Sequence, residues 1–304
     1  MRIRPTTVEK YRRQMENYVL PYLGERQISS IRKENVQKLY NSLLESGRRE
    51  EHPAFGKTLS GSTVRSVHMV LHEAMKDAQK ERLISANPTE GIPIPKAASA
   101  QMKVLNKTQL DLFLEAIKKE EHWYDFFYTE LTTGLRRGEI CALRWEDFNE
   151  QEGTIRVCRS LSIGKGGQLL FGEPKTENGV RLLCLPSTTA DILRSRKKQS
   201  VSEWIFPNLM DYERPTNPST AVDNLKRILK NAGLPDIRFH DLRHTFATHA
   251  QANGVDVKTL SSILGHASAA FTLDRYTHVT GEMQRHAADV VGSFMSDLFG
   301  GDLQ

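Results

Sequence analysis

Four short segments hold residue types and spacings suited to chemistry on an anion. The first is TGLRRGE (Thr133–Glu139), which runs on into ICALRWEDF. Gly134 permits a backbone closed to most side chains. Arg136 then falls at a helix start, where free N–H groups and the dipole also favour an anion. Glu139 lies three residues on, close enough on the same face to orient the guanidinium. The second segment, PKTENGVRLLCLP (174–186), sets Lys175 at the edge of a polar turn between strand-like runs. Over a phosphate, that lysine would donate a proton or neutralise charge. In the third, FHDLRHTFATHA (239–250), His240 and Arg243 are three apart on a helix, so both can point at one anionic group. The fourth, LGHASAAFTLDRYTH (264–278), carries Gly265-His266 at a helix end and Tyr276 ten residues later. A phenol has a pKa of about 10, so hydroxyl attack needs nearby cations, a base and in-line placement.

Taken singly, each segment has an ordinary structural explanation: a helix start with a surface ion pair, a solvated hairpin lysine, a buried polar pair, a packing tyrosine. His244 and His249 fit structural roles. So do His68 and His72, spaced i,i+4, because Met69 stands where the H-E-x-x-H zinc motif needs glutamate. Neither G-x-x-x-x-G-K-[ST] nor G-x-G-x-x-G occurs, which removes the common nucleotide-binding loops. Cys141, Cys158 and Cys184 lack C-x-x-C spacing and fit reduced thiols in a cytoplasmic protein, not a zinc site or a disulfide framework.

The elements that must position these residues read as mostly helical. Apolar residues at Val8, Tyr11, Met15, Tyr18 and Val19 predict a helix over 7–20. Val36, Leu39, Tyr40, Leu43 and Leu44 predict a second, entered through Asn35 and stopped at Gly47. Ser62 starts a third, and Asn87-Pro88 ends regular structure. Gly91–Lys103 reads as a linker. Thr108 and Asp111 suggest a capping box before LFLEAI. A helix through Trp123–Leu131 ends near Gly134, and the next begins around Arg136. Strand-like runs follow at 154–161, 168–171 and 180–185 with polar turns between them, then helices at 188–198, 219–232, 240–252, 256–264 and 282–299. The fold class is mainly α with a small antiparallel sheet (α+β).

At 304 residues the chain has room for about two domains. Its charge divides unevenly. Residues 1–103 hold 18 Lys+Arg and 11 Asp+Glu, a net of +7. The remainder holds 24 and 26, a net of −2, giving the overall +5. A small basic region joined to a near-neutral larger one suits a polyanion-gripping module attached to a working module. No run approaches the ~20 apolar residues of a membrane span, and MRIRPTTVEKYRRQMENY has no apolar signal region.

Taken together, TGLRRGE, HDLRHTFAT and LGH…YTH, in the order Arg, Lys, His-x-x-Arg, Gly-His, Tyr, resemble the tyrosine recombinases (phage integrases), especially those of phages and conjugative transposons. The resemblance implies a two-domain DNA clamp: a helical core-site DNA-binding domain over 1–90, an interdomain linker over 91–103 and a catalytic domain over 104–304. Its C-terminal helix, 282–299, would dock on a neighbouring protomer. By the same resemblance Arg136, Lys175, His240, Arg243, His266 and Tyr276 are catalytic, Tyr276 is the nucleophile and Glu139 is the supporting acid. Lys165 lies in a nearby turn, but Lys175 has the Lys-Thr context before VRLLCLP.

The implied activity cuts and rejoins DNA through a 3′-phosphotyrosine, integrating or excising a mobile element. One phosphodiester is exchanged for another and cationic side chains stand where a nuclease uses metal, so no cofactor and no metal are expected. Partners would be double-stranded DNA core sites, further copies of the chain on DNA (dimer to tetramer) and accessory proteins that bend DNA or set direction, with no membrane. Many such enzymes carry a further N-terminal module for arm-type sites. Here core-binding-like helices begin almost at once, which fits either a simpler recombinase or a trimmed chain. A relaxing enzyme like the type IB topoisomerases would share the chemistry without strand exchange, and an inactive DNA-binding regulator would keep only the basic module.

Overall fold

Apolar spacing at i, i+3 and i+4 builds the first unit, Met1–Gln101, from helices. The computed structural model describes residues 5–53, 55–96, 102–173, 179–266, 270 and 272. Helix α1 (Pro5–Gln14) passes through a wider π turn (Met15–Val19) into α2 (Leu20–Leu23), so the run expected over 7–20 extends at both ends. Helix α3 (Lys33–Ser46) starts two residues before Asn35, whose Oδ1 accepts from the Arg32 backbone N–H at 2.9 Å. Helix α4 (Gly61–Lys80) is capped by Ser60, whose Oγ accepts from the Thr63 N–H at 3.3 Å. Val36, Leu39, Tyr40 and Leu43 of α3 pack with Val64, Val67, Leu71 and Met75 of α4 and with Val19 and Leu23. His68 and His72 are structural within this core. The Tyr40 hydroxyl meets His68 Nδ1 at 2.7 Å, the two imidazoles stack with centroids 5.5 Å apart, and His72 Nδ1 meets Thr89 Oγ1 at 2.7 Å.

The second unit, Met102–Gln304, surrounds a larger core. Its described helices are α5 (Lys107–Lys118), α6 (Tyr124–Thr133), the single turn α7 (Arg137–Ile140), α8 (Ser187–Gln199), α9 (Pro218–Asn231), α10 (Phe239–Ala252) and α11 (Val257–Leu264). The capping box before α5 uses Asn106 and Gln109, not Thr108 and Asp111. Asn106 Oδ1 accepts from the Gln109 N–H at 2.9 Å, while Gln109 Oε1 accepts from the Asn106 N–H at 3.0 Å. Asparagine is the stronger cap, and behind Asn106 the helix already begins at Lys107, one residue before Thr108. Phe113, Phe126, Phe127, Phe206 and Phe239 cluster at the centre, with several rings edge to face.

Among the described residues antiparallel pairing is spread over three small sheets. Strands β1 (Phe148–Asn149), β2 (Thr154–Val157) and β5 (Arg181–Cys184) form the first in the order β1-β2-β5. The others are β3 (Ser160–Ile163) with β4 (Leu169–Gly172), and β6 (Pro207–Asn208) with β7 (Asp211–Pro215). The run 154–161, expected as one strand, therefore divides between two sheets. At the break Arg159 Nη1 donates to Asp147 Oδ2 at 2.6 Å and Cys158 Sγ to Asp147 Oδ1 at 3.3 Å, so a tertiary carboxylate holds the bend. Strands β6 and β7 occupy a stretch where no element was expected. No described helix is long and apolar enough to cross a membrane. Lys175, Tyr276 and the helix expected at 282–299 lie outside the described residues.

Candidate active site

Helix α6 ends at Gly134, whose φ of 60° and ψ of 31° are left-handed, with its N–H donating to Glu130 O at 2.8 Å. That turn is what TGLR encodes. A Cβ at Gly134 would lie 2.4 Å from Phe246 Cδ1, so glycine is required by space as well as by φ. The chain then extends through Arg136, which caps α7. Glu139 Oε2 accepts from the Arg136 backbone N–H at 3.0 Å and Oε1 from Arg136 Nη1 at 2.6 Å, so one carboxylate fixes both backbone and guanidinium. Arg136 Nη2 donates to Gly265 O at 2.7 Å. The side chain remains 35% exposed, leaving a face for an incoming anion, whereas Glu139 is 1% exposed.

The second guanidinium comes from α10. Arg243 is buried, with Nη1 donating to Gly134 O at 2.8 Å and Nη2 to Leu264 O at 2.5 Å. Helix α11 ends in a second left-handed glycine, Gly265, at φ 61°. Two glycine turns, distant in sequence, thus present their carbonyls to two arginines. His266 follows at once, its N–H donating to Ser261 O at 3.1 Å and its Nδ1 meeting Thr272 Oγ1 at 2.8 Å. His240, one turn before Arg243, lies edge-on to His244 with centroids 4.6 Å apart.

The electrostatics tie these groups into one site. Burial lowers the His240 pKa to about 4, aided by the charges of His244, Arg243 and Arg136. Burial, then Arg243 and Arg136, lowers His266 to about 3. Both imidazoles are therefore neutral near pH 7 and able to accept a proton. Burial pushes the Glu139 carboxyl up, but the hydrogen bond and charge of Arg181, together with Arg136, outweigh it and hold the carboxyl below its usual range. The structure thus brings Arg136, Glu139, His240, Arg243 and His266 together.

Two further residues of the site were not singled out from the sequence. Arg181 of β5 is buried, with Nη2 on Glu139 Oε2 at 2.9 Å, Nε on Ile263 O at 2.6 Å and Nη1 on Gly179 O at 3.1 Å. Its signal was its register: it shares the inward face of β5 with Leu183, and an inward arginine demands a buried anion. Glu130 of α6 is fully buried near Arg243, Glu139 and Arg181, and burial pushes its carboxyl well up. Its signal was an acid amid FFYTELTT one turn before Gly134.

A family model described as the phage integrase family matches residues 103–283, more than half of the chain. The chain belongs to the phage integrase family. A second model, the N-terminal SAM-like domain of phage integrases, matches residues 1–44. Curated relatives of this integrase-family chain include a tyrosine recombinase XerC-like protein of Caldanaerobacter subterraneus, 28% identical across 97% of this chain and 79% of the relative. The ICEBs1 integrase of Bacillus subtilis is 25% identical across 90% and 74%. Among solved structures, the Tn1549 transposon integrase in complex with transposon right end DNA shares the fold with a TM-score of 0.78, at 22% identity over 95% of both chains. A lambda integrase dimer bound to a COC' core site gives 0.68 at 18% identity, over 92% of this chain and 74% of that one.

Proposed function

We propose that this integrase-family chain is a site-specific DNA recombinase that cuts and rejoins duplex DNA through a 3′-phosphotyrosine on Tyr276, in the integration or excision of a mobile element. The observation that carries the reading is the assembly of two guanidiniums and two neutral imidazoles into one cluster, Arg136 and Arg243 with His240 and His266. A phosphoryl-transfer transition state gathers negative charge on its non-bridging oxygens. Donors already fixed in place stabilise it without reorganisation, each worth on the order of 3–4 kcal/mol. Glu139 and Arg181 supply that fixation from beneath.

In this mechanism the Tyr276 oxygen attacks phosphorus, the P–O5′ bond breaks, and the phosphoryl group passes to the phenol. His240, neutral in the free site, takes the phenolic proton, and the phosphate's negative charge raises its basicity on binding. Lys175 delivers a proton to the departing 5′ oxygen. The free 5′-hydroxyl of a partner strand then reverses the step, restoring a phosphodiester and releasing Tyr276. The basic first unit grips the duplex backbone, so affinity falls steeply with salt. Core-site duplexes, further copies of the chain and a cytoplasmic location follow from the same reading.

The test uses a pool of labelled nicked duplexes with a randomised centre. Wild-type protein is expected to form a protein–DNA adduct that survives denaturant, with the label on Tyr276. Tyr276→Phe is expected to bind the pool but form no adduct. An adduct of undiminished yield in that variant would overturn the assignment. Plasmid relaxation without strand exchange between captured sites would favour the topoisomerase-like alternative.

A further inference from the structure

We propose that Glu130 is a positioning residue that holds a proton in the resting site and, by staying neutral, leaves Arg243 its full charge for the scissile phosphate. The inference deepens the recombinase reading and rests on it. Glu130 lies on α6 one turn before Gly134, the residue whose carbonyl accepts from Arg243. Its side chain is 0% exposed, and neither carboxyl oxygen has a hydrogen-bond partner among the described residues. An ionised carboxylate in that position has surrendered water and received no donor in exchange, which is among the least favourable states a buried group can occupy. Adding a proton removes most of that penalty.

The surroundings show why a second carboxylate is not needed. Glu139, on α7, already engages both Arg136 and Arg181. Arg181, from β5, spends its donors on Glu139, Ile263 O and Gly179 O, and Arg243, from α10, places both Nη groups on Gly134 O and Leu264 O. Cys141, which follows α7, is a buried thiol whose ionisation is opposed above all by burial. Of the other helices packed on α6, α5 turns inward Phe113 and Ile117, and α8 turns inward Thr189, Ala190 and Leu193 and sets Arg196 on Asp125, while α10 also buries His244 and an Asp241 already paired with Arg238. Among the described residues Arg136 and Arg181 share the carboxylate of Glu139 while Arg243 binds main-chain oxygens, so with Glu130 neutral the positive charge of this cluster is available to a phosphate. With Glu130 ionised, one unit of that charge is cancelled from below. Desolvation drives the Glu130 pKa upward, in keeping with the protonated state.

Infrared spectroscopy of the intact protein near pH 7 is expected to show the carbonyl stretch of a protonated carboxyl, lost in Glu130→Gln. Glu130→Ala should lower adduct formation at neutral pH, and Glu130→Gln, which reproduces the shape of the neutral acid, should restore most of it. As pH rises through the Glu130 titration, wild-type adduct formation should fall by about tenfold or more, while Glu130→Gln stays level. A purely structural carboxylate would instead give no infrared band, a defective Gln variant and parallel pH profiles, and any of these overturns the inference. If the Gln variant fails to fold, the band in wild type and its loss on alkaline titration decide the matter. Failure of wild type to form adducts at any pH strikes the recombinase reading and takes this inference with it; adducts with an unshifted pH profile strike this inference alone.

Discussion

Replacing Gly134 by alanine tests the claim that one left-handed turn holds the site together. The new Cβ would lie 2.4 Å from Phe246 Cδ1, 3.0 Å from Phe246 Cε1 and 3.1 Å from Leu264 Cδ2. Holding a non-glycine residue at φ 60° costs about 1–2 kcal/mol. Forcing a methyl against a packed ring adds about 1–3 kcal/mol. Gly134→Ala should therefore lose about 2–5 kcal/mol of stability. The assay is urea denaturation followed by tryptophan fluorescence, because Trp123, Trp145 and Trp204 all lie in the second unit and report it alone. Phe246→Ala removes the nearer obstructing atoms, so in that background the same substitution should cost less, the backbone component of about 1–2 kcal/mol and a small adjustment of Leu264. The adduct yield should fall with it, since Gly134 O is one of the carbonyls that aims Arg243. A loss below about 1 kcal/mol, or an equal loss in both backgrounds, refutes the argument.

Removing Arg181 should be severe. Arg181→Met strips one partner from buried Glu139 and leaves the Ile263 and Gly179 carbonyls without their donor, a loss of about 3–5 kcal/mol by the same fluorescence assay; a loss under about 1 kcal/mol contradicts it. Arg136→Lys should keep DNA affinity within a few-fold but lower adduct yield by about 100-fold or more, because one ammonium cannot meet Glu139 and Gly265 O as the planar fork does. Undiminished cleavage would remove Arg136 from the site. Histidine proton NMR of the free protein should give His240 a midpoint near 4 and His266 one near 3, and midpoints at the ordinary value contradict the buried cationic setting. Both folded values lie below the unfolded value of about 6.5, so protonation favours unfolding. Their contribution to stability is complete above about pH 6.5 and is lost as pH falls toward 4 and then 3. His68, lowered by burial and by the charges of His72 and Arg65, acts with the same sign in the first unit. Hydrogen exchange should show less protection in α3 and α4 at pH 5 than at pH 7, and unchanged protection would refute this.

Local chemistry made much of this legible. TGLR specified the left-handed stop and the arginine at the following helix start because only glycine tolerates that turn beside Phe246. His240 and Arg243 were visible because a spacing of three on a helix fixes a shared face. The break at Cys158 was not visible, since it depends on Asp147, a carboxylate eleven residues away that bends an otherwise continuous strand pattern. Nor were β6 and β7, where Asn208 and Asp211 side chains accepting backbone N–H groups at 2.9 and 3.1 Å do more than any periodicity. Arg181 escaped notice because its partner, Glu139, was already assigned to Arg136, and two cations on one acid is a fact of tertiary packing.

Both guanidiniums of the cluster are held by main-chain oxygens of glycine turns that close only when α6, α10 and α11 have packed. Such oxygens exist in any sequence, but they meet an arginine here only after those helices have docked. A nascent or damaged chain therefore has scattered charges and no phosphate trap. In a DNA recombinase built this way, the charges that meet a phosphate come into register only with the tertiary fold of the second unit.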